Sequence, residues 1–256
     1  MNQPILHTQD LQIGYKNAIA SNVNLSLQPG KLVALIGANG IGKSTLLRTL
    51  TKIQPPISGD VYLGGKPISD YSSAERARQF SIVLTEKLPP SNLTAWELVA
   101  LGRQPYTDWI GKLSDVDRQQ ITQAMALTQV TDLADKRHFT LSDGQLQKVS
   151  IARALAQDTP LIVLDEPTTH LDLVHKVSLL RLLKKLTLET QKCVLFSTHD
   201  IDLALELSDE MIVMSPQKTI QAAPSQLISD GVFDTIFKDE HIVFDVGKGK
   251  FIFRNL

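Results

Sequence analysis

The sequence predicts an α/β fold built around a mainly parallel β-sheet. Apolar strand-like runs and helical patterns alternate from residue 32 onward, as expected when each strand is followed by a crossover helix. The start of the chain differs, because Val23, Leu25 and Leu27 alternate with polar residues, which is typical of a half-exposed antiparallel strand. Residues 86–158 carry helix start signals and proline punctuation. We therefore predict a parallel-sheet core, an N-terminal antiparallel β layer and an inserted helical subdomain.

A glycine-rich motif lies between the first strand of the predicted core and a helix. Residues 37–44 read GANGIGKS, which fits G-x-x-x-x-G-K-[ST], and a helical pattern that extends to Ile53 follows. The glycines let backbone N–H groups surround a triphosphate at the helix N-terminus. Lys43 would reach the β- and γ-phosphates, and Ser44 would bind Mg²⁺. The motif predicts a P-loop NTPase (RecA-like) core that binds a nucleoside triphosphate and Mg²⁺. The predicted triphosphate contacts of the loop are Gly37, Asn39, Gly40, Gly42, Lys43, Ser44 and Thr45.

A second apolar run, residues 161–164, ends in two acids, Asp165 and Glu166. Because side chains alternate along a strand, the two carboxylates should take different roles. We expect Asp165 to hold Mg²⁺ and Glu166 to act as the general base for the attacking water. A strand end with two solvated acids is the alternative.

A third motif begins a later helix. Residues 141–145 read LSDGQ, and Ser142 and Gln145 have the spacing of a capping box. Such a helix start binds anions, although the motif alone would also fit an ordinary capped helix. With the P-loop and the acid pair in order, the chain resembles the ATP-binding-cassette ATPases, whose signature LSGGQ lies shortly before the metal-binding acid. The resemblance covers nearly the whole chain.

The resemblance implies a head-to-tail dimer with two ATP molecules at its interface. Ser142, Gly144 and Gln145 of one copy would bind the ATP held by the P-loop of the other. Closure on ATP and opening after hydrolysis would then provide a mechanical stroke.

Three further residues match positions of that family. Tyr15 corresponds to the aromatic residue that stacks on adenine, His199 to the switch histidine that contacts the γ-phosphate, and Asp172 to the aspartate of the loop at the dimer interface. Lys43, Glu166 and His199 are thus the expected catalytic residues. A packed tyrosine, a structural strand-end histidine and a helix N-cap remain the respective alternatives.

Two positions depart from the family pattern. Thr85 stands where the family has a glutamine that senses metal and water, and its shorter hydroxyl would need a bridging water, Glu86 or a shifted loop. Asp143 replaces a glycine of the signature, so we expect its carboxylate to point away from the triphosphate or to meet a cation.

Composition limits the functional class. With 26 Lys and Arg against 27 Asp and Glu, the chain has no basic field for nucleic acid. It has no apolar run of about 18 residues and no secretion signal at its start. Its one cysteine, Cys193, lies in an apolar strand pattern and is expected to be a buried hydrophobe. We expect a single nucleotide-binding domain, residues 1–256, with helical subdomain 86–158 and C-terminal extension 216–256.

The part of the chain that would contact a partner indicates a transporter. Residues 97–106 resemble those of ATPases that energise bacterial importers of iron-siderophores, haem or cobalamin, where this region receives a permease helix. Trp96, Tyr106 and Trp109 are candidate contacts, with packing inside the subdomain as the alternative. We expect a peripheral subunit on the cytoplasmic face of the bacterial inner membrane, with a transmembrane permease as partner and a solute-binding protein acting indirectly.

Other functions share these motifs. An importer of another solute and a non-transport cassette ATPase, such as one for iron–sulfur assembly, differ mainly in their partners. A P-loop small-molecule kinase would have no use for a signature that acts on a second copy. A regulatory nucleotide-binding module would fit the two departures, but intact Lys43, Asp165, Glu166 and His199 favour turnover.

Overall fold

The computed structural model describes residues 3–84, 91–235, 242–245 and 250–253. Its strands are β1 (Leu6–Gly14), β2 (Ala18–Val23), β3 (Ser26–Leu27), β4 (Leu32–Gly37), β5 (Ser58–Leu63), β6 (Lys66–Pro67), β7 (Phe80–Val83), β8 (Leu161–Leu164), β9 (Cys193–Ser197), β10 (Glu210–Met214), β11 (Thr219–Ala222), β12 (Ile242–Asp245) and β13 (Lys250–Phe253). Its α-helices are α1 (Lys43–Leu50), α2 (Ser73–Arg76), α3 (Ala95–Ala100), α4 (Asp115–Leu127), α5 (Asp143–Ala156), α6 (Leu173–Thr190), α7 (Ile201–Leu207) and α8 (Pro224–Ser229).

The N-terminal strands form an antiparallel layer. Strand β1 lies between β2 and β5 and also pairs with β3, and all of these pairings are antiparallel. The alternating residues Val23, Leu25 and Leu27 are buried between this layer and the central sheet. The predicted antiparallel layer is confirmed.

The central sheet is mainly parallel, as predicted. Among the described residues its strand order is β11-β10-β4-β9-β8-β7, and only the edge strand β11 runs antiparallel to its neighbour. Strand β4 is fully buried from Leu32 to Ile36 because both faces of the sheet are covered. Parallel pairing brings the C-terminal ends of β4, β8 and β9 to one edge, where the predicted site residues follow each strand.

Residues 95–156 are mainly helical and pack together through α3, α4 and α5. Capping boxes begin all three helices, with Thr94, Ser114 and Ser142 at the N-caps. A buried ion pair joins this bundle: Arg103 Nε donates to Asp117 Oδ1 at 2.8 Å, and Arg103 Nη1 donates to the Ala156 carbonyl at 2.7 Å. Burial opposes the charge of Asp117, but hydrogen bonds from Ser114 and Arg103 outweigh it and hold its pKa below the ordinary value.

Helix α1 is shorter than its sequence pattern predicts. It ends at Leu50, Thr51 is its C-cap, and Lys52 takes a left-handed φ of 54°. Ile53 therefore lies beyond the helix and is 55% exposed, so the prediction that it continues the helix is wrong. The helical spacing of apolar residues in the sequence continues past Lys52, where the backbone turns out of the helix.

The C-terminal strands β12 and β13 pair in an antiparallel manner. This pair packs on the core through Phe244, whose ring stacks on that of Phe233 with centroids 4.8 Å apart.

Cys193 is buried as expected, and burial raises the pKa of its thiol. None of the helices in the described ranges is long and apolar enough to cross a bilayer.

Candidate functional site

The P-loop follows β4 and leads directly into α1. Gly42 is the N-cap of α1 with a φ of 109°, and a Cβ atom there would lie 2.6 Å from Ile19 Cγ2. A Cβ atom on Gly37 would lie 2.7 Å from the Met214 carbonyl oxygen. Glycine is therefore required at both ends of the loop, because a side chain at either end would displace the backbone.

Lys43 lies folded over this loop. Its Nζ donates to the carbonyl oxygens of Gly37 at 2.9 Å and Ala38 at 3.3 Å, and the side chain is buried. Burial lowers the pKa of Lys43, while the nearby carboxylates of Glu166 and Asp165 act in the opposite direction. The ammonium group therefore lies where an anion could replace its backbone acceptors.

Asp165 lies beside the P-loop hydroxyl, as expected for a metal-holding pair. Ser44 Oγ donates to Asp165 Oδ1 at 3.4 Å, and Ser197 Oγ donates to the same oxygen at 2.7 Å. A hydroxyl and a carboxylate next to a phosphate-binding loop are the hard oxygen donors that Mg²⁺ prefers. The residues present thus fit Mg²⁺ bound together with a triphosphate.

Glu166 adopts a left-handed backbone, with a φ of 49°. Its N–H donates to Ser197 Oγ at 2.8 Å, Oε2 accepts from Thr169 Oγ1 at 3.2 Å, and Oε1 contacts His199 Nε2. Strand β8 ends at Leu164, so this turn, and not strand alternation, separates Glu166 from Asp165. We predicted different roles for the two acids because side chains alternate along a strand, and that reason is wrong.

These groups line one cleft with a volume of about 500 Å³, within the usual range for ligand pockets. Tyr15 lies at its rim and is 66% exposed, so one face of its ring is free to stack on a planar group. The cleft-lining residues are Tyr15, Ile19, Asn39, Gly40, Gly42, Lys43, Ser44, Thr45, Glu166 and His199. The structure thus brings together predicted contacts that follow the first, fourth, eighth and ninth strands.

The signature residues Ser142, Gly144 and Gln145 are not among the residues that line this cleft. Ser142 accepts a hydrogen bond from the Gln145 N–H at 3.3 Å, and Gln145 Oε1 accepts one from the Ser142 N–H at 3.1 Å. A Cβ atom on Gly144 would lie 3.6 Å from both Leu171 and His175, on either side of Asp172 in the chain. The structure therefore places the signature beside the Asp172 loop.

Asp172 also has the structural role that competed with its predicted one. It is the N-cap of α6, and its Oδ1 accepts from the His175 N–H at 2.9 Å. Hydrogen bonds from His175 hold the pKa of Asp172 below its ordinary value.

Asp143, the departure from the signature, is exposed at the first turn of α5. Thr85 and Glu86 lie outside the described residues, so the weak metal-site prediction for Thr85 stays a prediction.

Two hydroxyl residues of the site were missed by sequence reasoning. Thr169 contacts the carboxylate of Glu166, and Ser197 contacts both Asp165 and the backbone of Glu166. The available signal was the position of Ser197 as the polar last residue of an apolar strand. Because β8 and β9 are parallel neighbours, that residue lies beside the acids that follow β8.

Comparison with known proteins gives a consistent result. The family model described as "ABC transporter" matches residues 20–169. The chain is 39% identical to the iron(3+)-hydroxamate import ATP-binding protein FhuC of Bacillus subtilis (strain 168), covering 94% of this chain and 90% of that protein. It is 36% identical to the ferric enterobactin transport ATP-binding protein FepC of Escherichia coli (strain K12), covering 94% and 89%.

Solved structures agree with this assignment. One described as a metal-chelate type ABC transporter in an inward-facing conformation superposes with a TM-score of 0.81 at 27% identity, covering 97% of this chain and 95% of that one. The ATP-binding cassette MJ0796, a dimer in a post-hydrolysis state bound to ADP and Pi, superposes with a TM-score of 0.73 at 29% identity, covering 86% and 98%. The chain belongs to the ABC transporter family, and it is one of the ATP-hydrolysing cassettes of that family.

Proposed function

We propose that this chain hydrolyses ATP to power the uptake of a metal chelate, of the iron-siderophore, haem or cobalamin type, through a separate membrane permease. The observation that carries the proposal is its similarity, over nearly its full length, to ATP-binding proteins of iron-chelate import. The cleft around Lys43 supplies the matching chemistry, because it combines a phosphate-binding loop with two acids and a histidine.

In this proposal the cleft residues divide the hydrolytic step among them. Lys43 and the loop N–H groups bind the β- and γ-phosphates, and Tyr15 stacks on adenine. Glu166 takes a proton from the attacking water. The water oxygen bonds to the γ-phosphorus while the bond between that phosphorus and the ADP oxygen breaks. His199, which contacts Glu166 in this structure, moves toward the γ-phosphate when ATP is present. ADP and phosphate are the products.

Ser44 and Asp165 are the residues that would hold Mg²⁺, with Thr85 as a weaker candidate. Bound there, Mg²⁺ would neutralise charge on the β- and γ-phosphate oxygens. The short distance from Ser44 Oγ to Asp165 Oδ1 supports this assignment, because both donors belong to one site.

The active form in this proposal is a head-to-tail dimer. Ser142, Gly144, Gln145 and Asp172 would contact the ATP bound by a second copy, since none of them lines the P-loop cleft of their own chain. Exposed Asp143 has room to turn away from that phosphate. The whole chain acts as one nucleotide-binding domain, with residues 86–158 as the helical subdomain and residues 216–256 as a C-terminal extension.

The helical subdomain is the proposed contact for the permease, which would keep the chain at the cytoplasmic face of the bacterial inner membrane. Trp109 is 94% exposed, and the neighbouring Ile110 is 71% exposed, so both are available to a partner. Trp96 and Tyr106 are less available, because Trp96 packs on the core and Tyr106 lies 4.0 Å from the Arg103 guanidinium. A solute-binding protein would act on the far side of the permease, without contacting this chain.

A pull-down experiment tests the proposal. Tagged Glu166→Gln protein would be captured from native membranes in Mg-ATP, with Lys43→Ala as the matched control that lacks the phosphate-binding ammonium. Recovery of a many-span permease with the first variant would support import and identify the transporter whose solute can then be measured. Recovery of soluble proteins alone would instead indicate a non-transport cassette ATPase.

A further inference from the structure

One buried hydroxyl connects the two acids of the cleft. Ser197, the last residue of β9, has a relative exposure of 0%. Its Oγ donates to Asp165 Oδ1 at 2.7 Å and accepts from the Glu166 N–H at 2.8 Å. A serine hydroxyl has one proton to donate, so the carboxylate and the amide together fix its orientation.

The hydrogen bond to the amide maintains an unfavourable backbone conformation. Glu166 has a φ of 49°, a region that residues with a side chain seldom adopt, two residues after the end of β8. Without Ser197 Oγ, the N–H of Glu166 would lose this hydrogen-bond partner in a part-buried site. Retaining this turn is what directs the Glu166 side chain toward Thr169 and His199.

The hydrogen bond to the carboxylate acts on the proposed metal ligand. Asp165 Oδ1 receives hydrogen bonds from both Ser197 and Ser44, at 2.7 Å and 3.4 Å. The shorter of these two bonds comes from the fully buried residue and restrains the rotation of the carboxylate. Groups that orient a metal ligand in this way change metal affinity or activity by about 10-fold to 100-fold when they are removed.

We propose that Ser197 is a positioning residue that sets the carboxylate of Asp165 and the backbone of Glu166 through a single hydroxyl. It touches neither substrate nor metal. Its effect passes through the two acids, so metal binding and the hydrolytic step depend on the same side chain. The inference rests on the proposed function for the roles of those acids.

The test compares Ser197→Ala with the control Ser81→Ala. Ser81 is another buried serine of the same sheet, and its hydroxyl accepts a hydrogen bond from Thr159 outside the cleft. Steady-state ATP hydrolysis gives kcat and KM. Electron paramagnetic resonance gives the affinity for Mn²⁺ in the presence of ATP, with Glu166→Gln added to both variants to prevent turnover. Far-UV circular dichroism establishes that each variant is folded.

We expect Ser197→Ala to lower kcat and the Mn²⁺ affinity by about 10-fold or more each, with KM for ATP within about threefold of the unsubstituted chain. Ser81→Ala should change neither quantity by more than about twofold. An unchanged kcat or an unchanged Mn²⁺ affinity in folded Ser197→Ala would overturn the proposal, because it assigns the hydroxyl to both acids. If the unsubstituted chain showed no Mg²⁺-dependent ATP hydrolysis, the proposed function would be wrong. Failure of the proposed function is therefore seen in the unsubstituted chain, and failure of the Ser197 proposal only in the variant.

Discussion

Replacement of Glu166 by glutamine separates binding from hydrolysis. Glutamine has nearly the same shape and still offers one oxygen to accept the hydrogen bond from Thr169, but it cannot take a proton. The backbone hydrogen bond to Ser197 is unaffected, so the turn at Glu166 should persist. We therefore expect a folded protein whose loss is confined to the proton-transfer step.

The size of that loss follows from the role of the carboxylate. A positioned general base contributes about 10²–10⁴ in rate, or about 3–5 kcal/mol in the activation barrier. ATP binding should be equal or tighter, because the substitution removes a negative charge from the cleft in which the triphosphate would bind. The variant should accordingly accumulate as an ATP-bound dimer.

Phosphate release and size-exclusion chromatography in Mg-ATP measure these effects. Glu189→Gln is the matched control, since Glu189 lies on the exposed surface of α6, where it pairs with Lys185 at 3.5 Å. It should leave turnover within about twofold of the unsubstituted chain. A Glu166→Gln protein that released phosphate within about threefold of that rate would refute the assignment of Glu166 as the base.

Three further outcomes are expected. Lys43→Ala should weaken ATP binding by about 10-fold to 100-fold in calorimetry while leaving the fold intact, because it removes a charged hydrogen-bond donor from the loop; unchanged affinity would contradict its role. Tyr15→Ala should weaken nucleotide binding by about 1–3 kcal/mol, whereas Tyr15→Phe should not, since stacking needs the ring and not the hydroxyl; equal effects of the two variants would argue against stacking. Arg103→Ala should cost about 3–5 kcal/mol in denaturant unfolding because it leaves Asp117 as an unpaired buried charge; a cost below about 1 kcal/mol would disprove that account.

Sequence patterns predicted those parts of the site that depend on local spacing. The P-loop, the three capping boxes and the parallel order of the core follow from residues close together in the chain. Asp165 and Glu166 have different contacts, and the different roles expected of them stay a prediction. The cause of the difference in contacts could not be predicted, because the left-handed turn at Glu166 is held by Ser197, 31 positions away. A period-two pattern contains no information about such a turn.

Two other features required the structure for the same reason. Helix α1 ends before Ile53 because Lys52 reverses the backbone, although the apolar period continues. The pairing of Arg103 with Asp117 joins a residue before α4 to one inside it, and neither residue type suggests full burial. In both cases a tertiary or backbone effect overrides the residue pattern.

The contacts of Glu166 explain why binding of ATP could be coupled to closure. Both of its carboxylate oxygens are engaged within the chain, one by Thr169 and the other by His199. Each oxygen keeps a second lone pair, but a carboxylate held by two donors is a weaker base, so the loss of one contact would favour proton transfer from water. His199 is the partner able to leave, since its side chain is 45% exposed and the γ-phosphate offers it a new acceptor. We infer that a single copy holds the base in a paired state, which ATP and, in the proposed dimer, a second copy would release.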